Sequence, residues 1–182
     1  MKNYRFLFLF LFLISCNENL SPDEYTELAI ANLYQLSVPK YMEKMNDLNK
    51  DASLQYANLI KEAYTVVVHE NKQDYIAFAK TINAYNEHVS VLDNYSQTQI
   101  DFFERNLKLK RFETSVFTKV NELNARQDKL KGNINGKELG YALCFIEGEN
   151  NLYMIMNWTR LNRMPRFKTT FETINNSFKL IK

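Results

Sequence analysis

Apolar positions along the chain change their spacing several times, and each change predicts an element. The first apolar run, Phe6 to Ile14, is nine residues without a polar interruption. A polar stretch, CNENLSPDE, follows from Cys16 to Glu24 and reads as a tether. Leu28 to Pro39 predicts a first strand, ended by Pro39. After the turn-rich Met45–Asp51, two further strands are expected over Ala52–Ile60 and Ala63–Glu70. In the latter, Tyr64, Val66 and Val68 share a face and Val67 lies on the other, the pattern of a strand covered on both sides. The spacing then turns helical. Phe78, Ile82, Tyr85 and Val89 form one stripe, and Ile100, Phe103 and Leu107 a second, with Ser96 or Thr98 as its cap. Strands return over Phe117–Asn124 and Ala125–Ile134, and Asn135-Gly136 signals a hairpin into Lys137–Gly148. In Leu152–Thr159, Leu152, Met154, Met156 and Trp158 share one face, and Tyr153 and Ile155 the other. Phe167, Phe171, Ile174 and Phe178 close the chain as a helical stripe, with Pro165 near its start. Strands, helices, strands and a helix, in that order, define an α+β domain with an antiparallel sheet.

The first run is too short to cross a bilayer, which takes ~20 apolar residues. Behind Lys2 and Arg5 it has the form of a signal-peptide apolar region. It ends in Leu13-Ile14-Ser15-Cys16, with no A-x-A-like cleavage pattern. That string resembles the lipobox of bacterial lipoproteins. The resemblance implies cleavage between Ser15 and Cys16 and acylation of Cys16. Residues 1–15 would be the signal peptide, 16–24 the lipidated tether and 25–182 the domain. A plain signal peptide with an incidental cysteine is the competing account; charge, run length and cysteine together favour the lipoprotein.

Cleavage removes Lys2 and Arg5 from 23 basic residues and leaves 21 against 21 acidic ones. A neutral domain gives no support to a nucleic-acid partner. With Cys16 acylated, Cys144 is a lone thiol in an apolar run and is expected to pack as a small hydrophobe. Thirteen Phe and 11 Tyr against four Gly and three Pro argue for a packed body.

Candidate chemistry is sparse. The two histidines, His69 and His88, lie 19 residues apart, without the i, i+4 spacing that seats a metal on one helix face. They are expected at a strand end and on an exposed helix, and neither metal nor cofactor is expected. No nucleophile elbow, phosphate-cradling glycine loop or C-x-x-C is present in the sequence. The acidic pairs Asp101/Glu104 and Glu147/Glu149 read as solvated surface. Of two basic clusters, the first holds Arg105, Lys108, Lys110 and Arg111. The second holds Arg160, Arg163, Arg166 and Lys168 and is the candidate partner-binding set, suited to anionic headgroups or an acidic protein. A solvated helix end and loop would account for either cluster more simply. Trp158 is in phase with a core face. Asn94-Tyr95-Ser96, Asn157-Trp158-Thr159 and Asn175-Asn176-Ser177 match the glycosylation acceptor pattern by chance in a bacterial lipoprotein.

Several strings carry a further resemblance: Val38–Met42, Asp47–Asn58, Asn135–Thr159 and Phe171–Lys179. Together, and in this order of elements, the chain resembles the PsbP-like domain family, whose relatives include the Ran-binding Mog proteins. The lipobox-like string and the style of the sequence suggest a lipoprotein branch of Bacteroidetes-type bacteria. The resemblance implies an antiparallel sheet of about six strands sandwiched by helices, and a non-catalytic binding or assembly role. The expected partner is another envelope protein, at the outer membrane, on its periplasmic face or at the cell surface. A carrier of a small apolar ligand held between sheet and helices is the alternative, and a hydrolytic enzyme ranks last, for want of a nucleophile–base pair.

Overall fold

The computed structural model describes residues 20–113 and 115–181. The leader, Ser15 and Cys16 lie outside them, as does most of the tether. The described tether residues close in one 3-10 turn, Pro22–Glu24, where Glu24 reaches back to the backbone nitrogen of Ser21 at 2.8 Å.

Eleven strands follow, β1 (Tyr25–Ile30), β2 (Tyr34–Pro39), β3 (Glu43–Lys44), β4 (Ala52–Asn58), β5 (Ala63–Asn71), β6 (Lys110–Arg111), β7 (Val116–Val120), β8 (Leu123–Ile134), β9 (Lys137–Glu147), β10 (Asn151–Arg160) and β11 (Lys179–Leu180). Between β5 and β6 come α1 (Lys72–Thr81) and α2 (Val91–Leu107), and between β10 and β11 a 3-10 turn at Leu161–Arg163 and α3 (Met164–Asn176). The main sheet has eight antiparallel strands, with β3-β4-β5-β10-β9-β8-β6 in order and β7 also paired to β8. A small sheet, β1-β2-β11, has three.

The main sheet is covered on both faces, as the double-sided apolar pattern of β5 and β10 requires. Leu152 and Met154 of β10 and Leu143 and Phe145 of β9 pack under α1 and α2, with Tyr75, Leu92, Tyr95, Ile100 and Phe103. Tyr153 and Ile155, with Cys144, Ile146 and Val67, pack on the other side. There α3 supplies Phe167, Phe171 and Ile174, and β2 supplies Tyr34, Leu36 and Val38. The alternation in Leu152–Thr159 therefore divides two cores, as its sequence predicts.

Several expectations are corrected. Leu28–Pro39 is a hairpin: Ala31 and Asn32 take left-handed conformations, φ 47° and 55°, and turn β1 back onto β2. The strand expected to Ile60 ends at Asn58, and Leu59 and Ile60 stand in the turn. Helix α1 stops at Thr81, with Asn83 at φ 54°, and buries Tyr75 and Ala79 while Phe78 is 61% exposed. The small Ala79 permits close approach to the sheet, so the Phe78 stripe points to solvent, and His88 lies in a turn. Helix α2 begins earlier than expected, at Val91, because Leu92 and Tyr95 are core residues; Ser90 caps it, accepting from the Asp93 backbone at 3.0 Å. Ser96 and Thr98 sit within that helix, and Leu107 is exposed. Phe178 lies beyond α3, yet it is fully buried and stacks on Tyr34 at 5.2 Å. The main sheet has six strands of five residues or more, as the expectation of about six has it, and the two-residue β3 and β6 bring it to eight.

Candidate functional site

Where α3 crosses the sheet, three polar residues are buried together. Thr65 on β5 donates its hydroxyl to Asn157 Oδ1 at 2.8 Å, and Asn157 Nδ2 donates to Asn175 Oδ1 at 2.9 Å. Thr65 and Asn157 are wholly buried and Asn175 nearly so. A buried amide must be hydrogen-bonded, and this chain of bonds fixes α3 over β10. Beside it lies a cavity of about 360 Å³, between Leu161, Met164 and Phe171 above and Ala142 on β9 below. Lys129–Glu113 (2.7 Å) and Lys168–Glu172 (4.0 Å) are among its polar lining.

On the opposite face, Tyr75 and Tyr95 meet edge to face at 5.2 Å. Burial, then the nearby Glu70, push the Tyr95 phenol well above its usual range. Burial likewise raises Glu70, whose Oε1 accepts from Gln99 at 3.4 Å. Burial pushes the Cys144 thiol up to about 12, so it is inert packing, as expected of a small hydrophobe.

The second basic cluster divides. Arg160 Nε meets Glu62 Oε1 at 2.9 Å, and Arg163 meets Glu62 Oε2 at 3.3 Å. Arg163 also donates to the Lys61 carbonyl at 2.9 Å. These bonds, led by the one from Arg160, hold the Glu62 carboxyl below its usual range. Arg166 and Lys168 lie along α3 instead; the Arg166 guanidinium is over the Phe167 ring at 5.7 Å. The first cluster does not converge. Arg105 turns back to the Asp101 carbonyl, Lys108 caps α2 in a left-handed conformation, and Arg111 pairs with buried Asp128 at 2.9 Å. For Asp93, desolvation works to raise the carboxyl, and Arg126 and Ser90 outweigh it and hold it low.

His69 stacks on Tyr153 at 6.0 Å, far from exposed His88, and no cluster among the described residues has the make-up of a metal site. Glu147 pairs with Lys72 at 3.0 Å, while Glu149 is exposed. Trp158 is half-buried and stacks on Tyr64 at 4.9 Å. The three acceptor-pattern asparagines, Asn94, Asn157 and Asn175, are all at most 4% exposed. The sequence reading missed Glu62 as the hub for two arginines and Leu59-Ile60 as a turn. An apolar pair before Lys-Glu carries no turn signal; only the strand that follows would have hinted at it.

The two-faced sheet, with paired helices on one side and a helix plus small sheet on the other, is the PsbP-like α+β fold, as the sequence resemblance implies. Cyanobacterial PsbP (CyanoP) from Synechocystis sp. PCC 6803 is similar with a TM-score of 0.62 at 8% identity, over 89% of this chain and 95% of that one. LpqN of Mycobacterium tuberculosis, described as involved in cell envelope biogenesis, is similar with a TM-score of 0.52 at 11% identity, over 82% and 83%. A Bacteroides thetaiotaomicron protein gives 0.53 at 7% identity, over 87% of this chain and 49% of that one. These likenesses carry the fold. No family model matches the chain, and no curated protein sequence does. No helix among the described residues is long and apolar enough to cross a membrane.

Proposed function

We propose that this chain is an envelope lipoprotein, held by acylated Cys16, and that its PsbP-like body is a non-catalytic binding or assembly module for another envelope protein. The observation that carries the reading is the pairing of a lipobox-like Leu13-Ile14-Ser15-Cys16 with a fold shared by LpqN, an envelope-biogenesis protein. Of the four basic candidates, Arg166 and Lys168 lie along α3, with Lys168 4.0 Å from Glu172, and are the partner-facing pair suited to an acidic surface; Arg160 and Arg163 share Glu62 beside the β4–β5 turn. Crosslinking in intact native cells, followed by mass spectrometry, recovers one specific envelope protein under this reading. Recovery of abundant bystanders alone, in proportion to their abundance, counts against it.

A second reading has its own observation. The cavity of about 360 Å³ beneath α3 lies in the size range of small-ligand sites, and its lining includes Leu161, Met164 and Phe171. A carrier of a small apolar ligand would retain extra mass in native mass spectrometry of protein purified from its host. Protein at its bare mass speaks against the carrier.

A further inference from the structure

The turn from β4 to β5 is built from the wrong residues for a solvent-facing turn. The β8–β9 turn is Asn135-Gly136, whose positive φ values of 51° and 79° suit those residues. The β4–β5 turn is Leu59-Ile60-Lys61-Glu62, with Leu59 61% and Ile60 92% exposed. A single exposed apolar side chain is ordinary. Two adjacent ones at the apex of a braced hairpin form a projecting apolar tip. The bracing is explicit. The Lys61 backbone donates to Asn58 Oδ1 at 2.8 Å, Arg163 donates to the Lys61 carbonyl at 2.9 Å, and Glu62 is clasped by Arg160 and Arg163.

The charge immediately around Glu62 is mostly positive, with Glu43 opposite Ala57 on the neighbouring strand. Arg160, Arg163 and Lys137 all act on the single Glu62 carboxylate, so cations are in excess. The Lys61 ammonium is over the Tyr41 ring at 4.8 Å.

The same end of the body receives the tether. Asn58 donates to the Tyr41 carbonyl at 2.7 Å, and the neighbouring Lys40 backbone donates to the Glu24 carbonyl at 2.8 Å. Glu24, at the end of the tether, is turned onto Ser21, and Asp23 beside it is exposed. From Cys16 to Ser21 a chain can reach at most ~18 Å. The length of β5, Ala63–Asn71, is roughly 26 Å at ~3.3 Å per residue. A tether shorter than the body keeps the Ser21 end toward the bilayer, and the Leu59-Ile60 tip is at that end.

We propose that the β4–β5 tip is a membrane-contact site for an anionic phospholipid surface. Leu59 and Ile60 enter the headgroup–acyl boundary, and Lys61, Lys137, Arg160 and Arg163 face the phosphates, each cation near such a surface adding to the attraction. The proposal rests on the reading of Cys16 as an acylated anchor, and it fixes which side of the body faces outward to partners.

The test uses the mature acylated protein carrying Ile60→Cys or, at the far end of the sheet, Glu149→Cys. Each is labelled with a thiol-reactive, environment-sensitive fluorophore; Cys144 is fully buried and stays unlabelled. On phosphatidylglycerol vesicles the probe at 60 shifts to the blue and is quenched by nitroxide-bearing lipid, and the probe at 149 does neither. On phosphatidylcholine vesicles the shift at 60 is smaller. Protein retained on vesicles with both probes equally in water overturns the contact and leaves the anchor standing; the tip is then surface for a protein partner. Protein that washes off the vesicles overturns the anchor reading and this proposal with it. A shift at 60 that is equal on both lipids overturns the part given to the cations.

Discussion

Asn157 joins the main sheet to α3 through side chains alone. Replacing it with Ala leaves the Thr65 hydroxyl and the Asn175 amide without their partner in a dry site. Each stranded group costs about 1–3 kcal/mol. Asn157→Ala should therefore lower the urea midpoint by an amount at the upper end of ordinary point mutants, while exposed Asn176→Ala should leave it unchanged. Glu70 gives a prediction with a sign. Burial raises its carboxyl pKa above the unfolded value of 4.5. The folded state then binds more protons than the unfolded one just above that value, so Glu70 lends stability at low pH that is lost as pH rises through its folded pKa. Glu70→Gln should raise the Tm relative to the parent more at pH 7 than at pH 4. An equal shift at both would mean that Glu70 titrates as it does in the unfolded chain.

At the scale of elements, two hairpins make a matched experiment. The β1–β2 turn holds Ala31 at φ 47°, where an L-residue with a Cβ is strained. The β8–β9 turn holds Gly136 at φ 79°, where a Cβ would be strained though nothing lies within 4 Å. Ala31→Gly should raise stability by up to about 1 kcal/mol, and Gly136→Ala should lower it by about the same. Denaturant titration of both variants reads the two signs. The same contrast explains what could be read in advance. Asn135-Gly136 carries its own turn chemistry, and so the strands on either side were legible. Ala31-Asn32 carries little, so β1 and β2 merged into one apolar run. The 3.6-residue spacing marked α2 and α3, though not their limits, and for α1 it followed an exposed stripe that lies mostly outside the helix. Tyr85 and Val89 continue the period past the point where Asn83 reverses the chain, and of that stripe only Phe78 lies within α1. Phe178 keeps the phase of α3 after the helix has ended, because the core it fills extends past the last turn.

At the scale of the molecule, the alternation in Leu152–Thr159 foretold two cores on one sheet. The small sheet was invisible, since β11 is only Lys179–Leu180 and its pairing with Gln35 and Tyr34 joins residues far apart in the chain. The site was less legible than the fold. Arg160 and Arg163 read as a basic run, and only the folded chain brings Glu62 between them. The whole-molecule prediction concerns attachment. If Cys16 is acylated as proposed, two or three chains, at ~0.8 kcal/mol per buried methylene, would hold a body of this size on its membrane. Cys16→Ser should move the protein from the membrane pellet to the aqueous fraction of fractionated cells; a variant that still pellets with membranes would mean that the cysteine is not the anchor. The three buried asparagines carry a practical consequence for production. Were the chain routed through a eukaryotic secretory pathway, a glycan attached during synthesis to Asn94, Asn157 or Asn175 would have to be accommodated where the native body has no room. Such a host should yield misfolded, retained material, whereas bacterial expression, which attaches no such glycan, should yield folded protein.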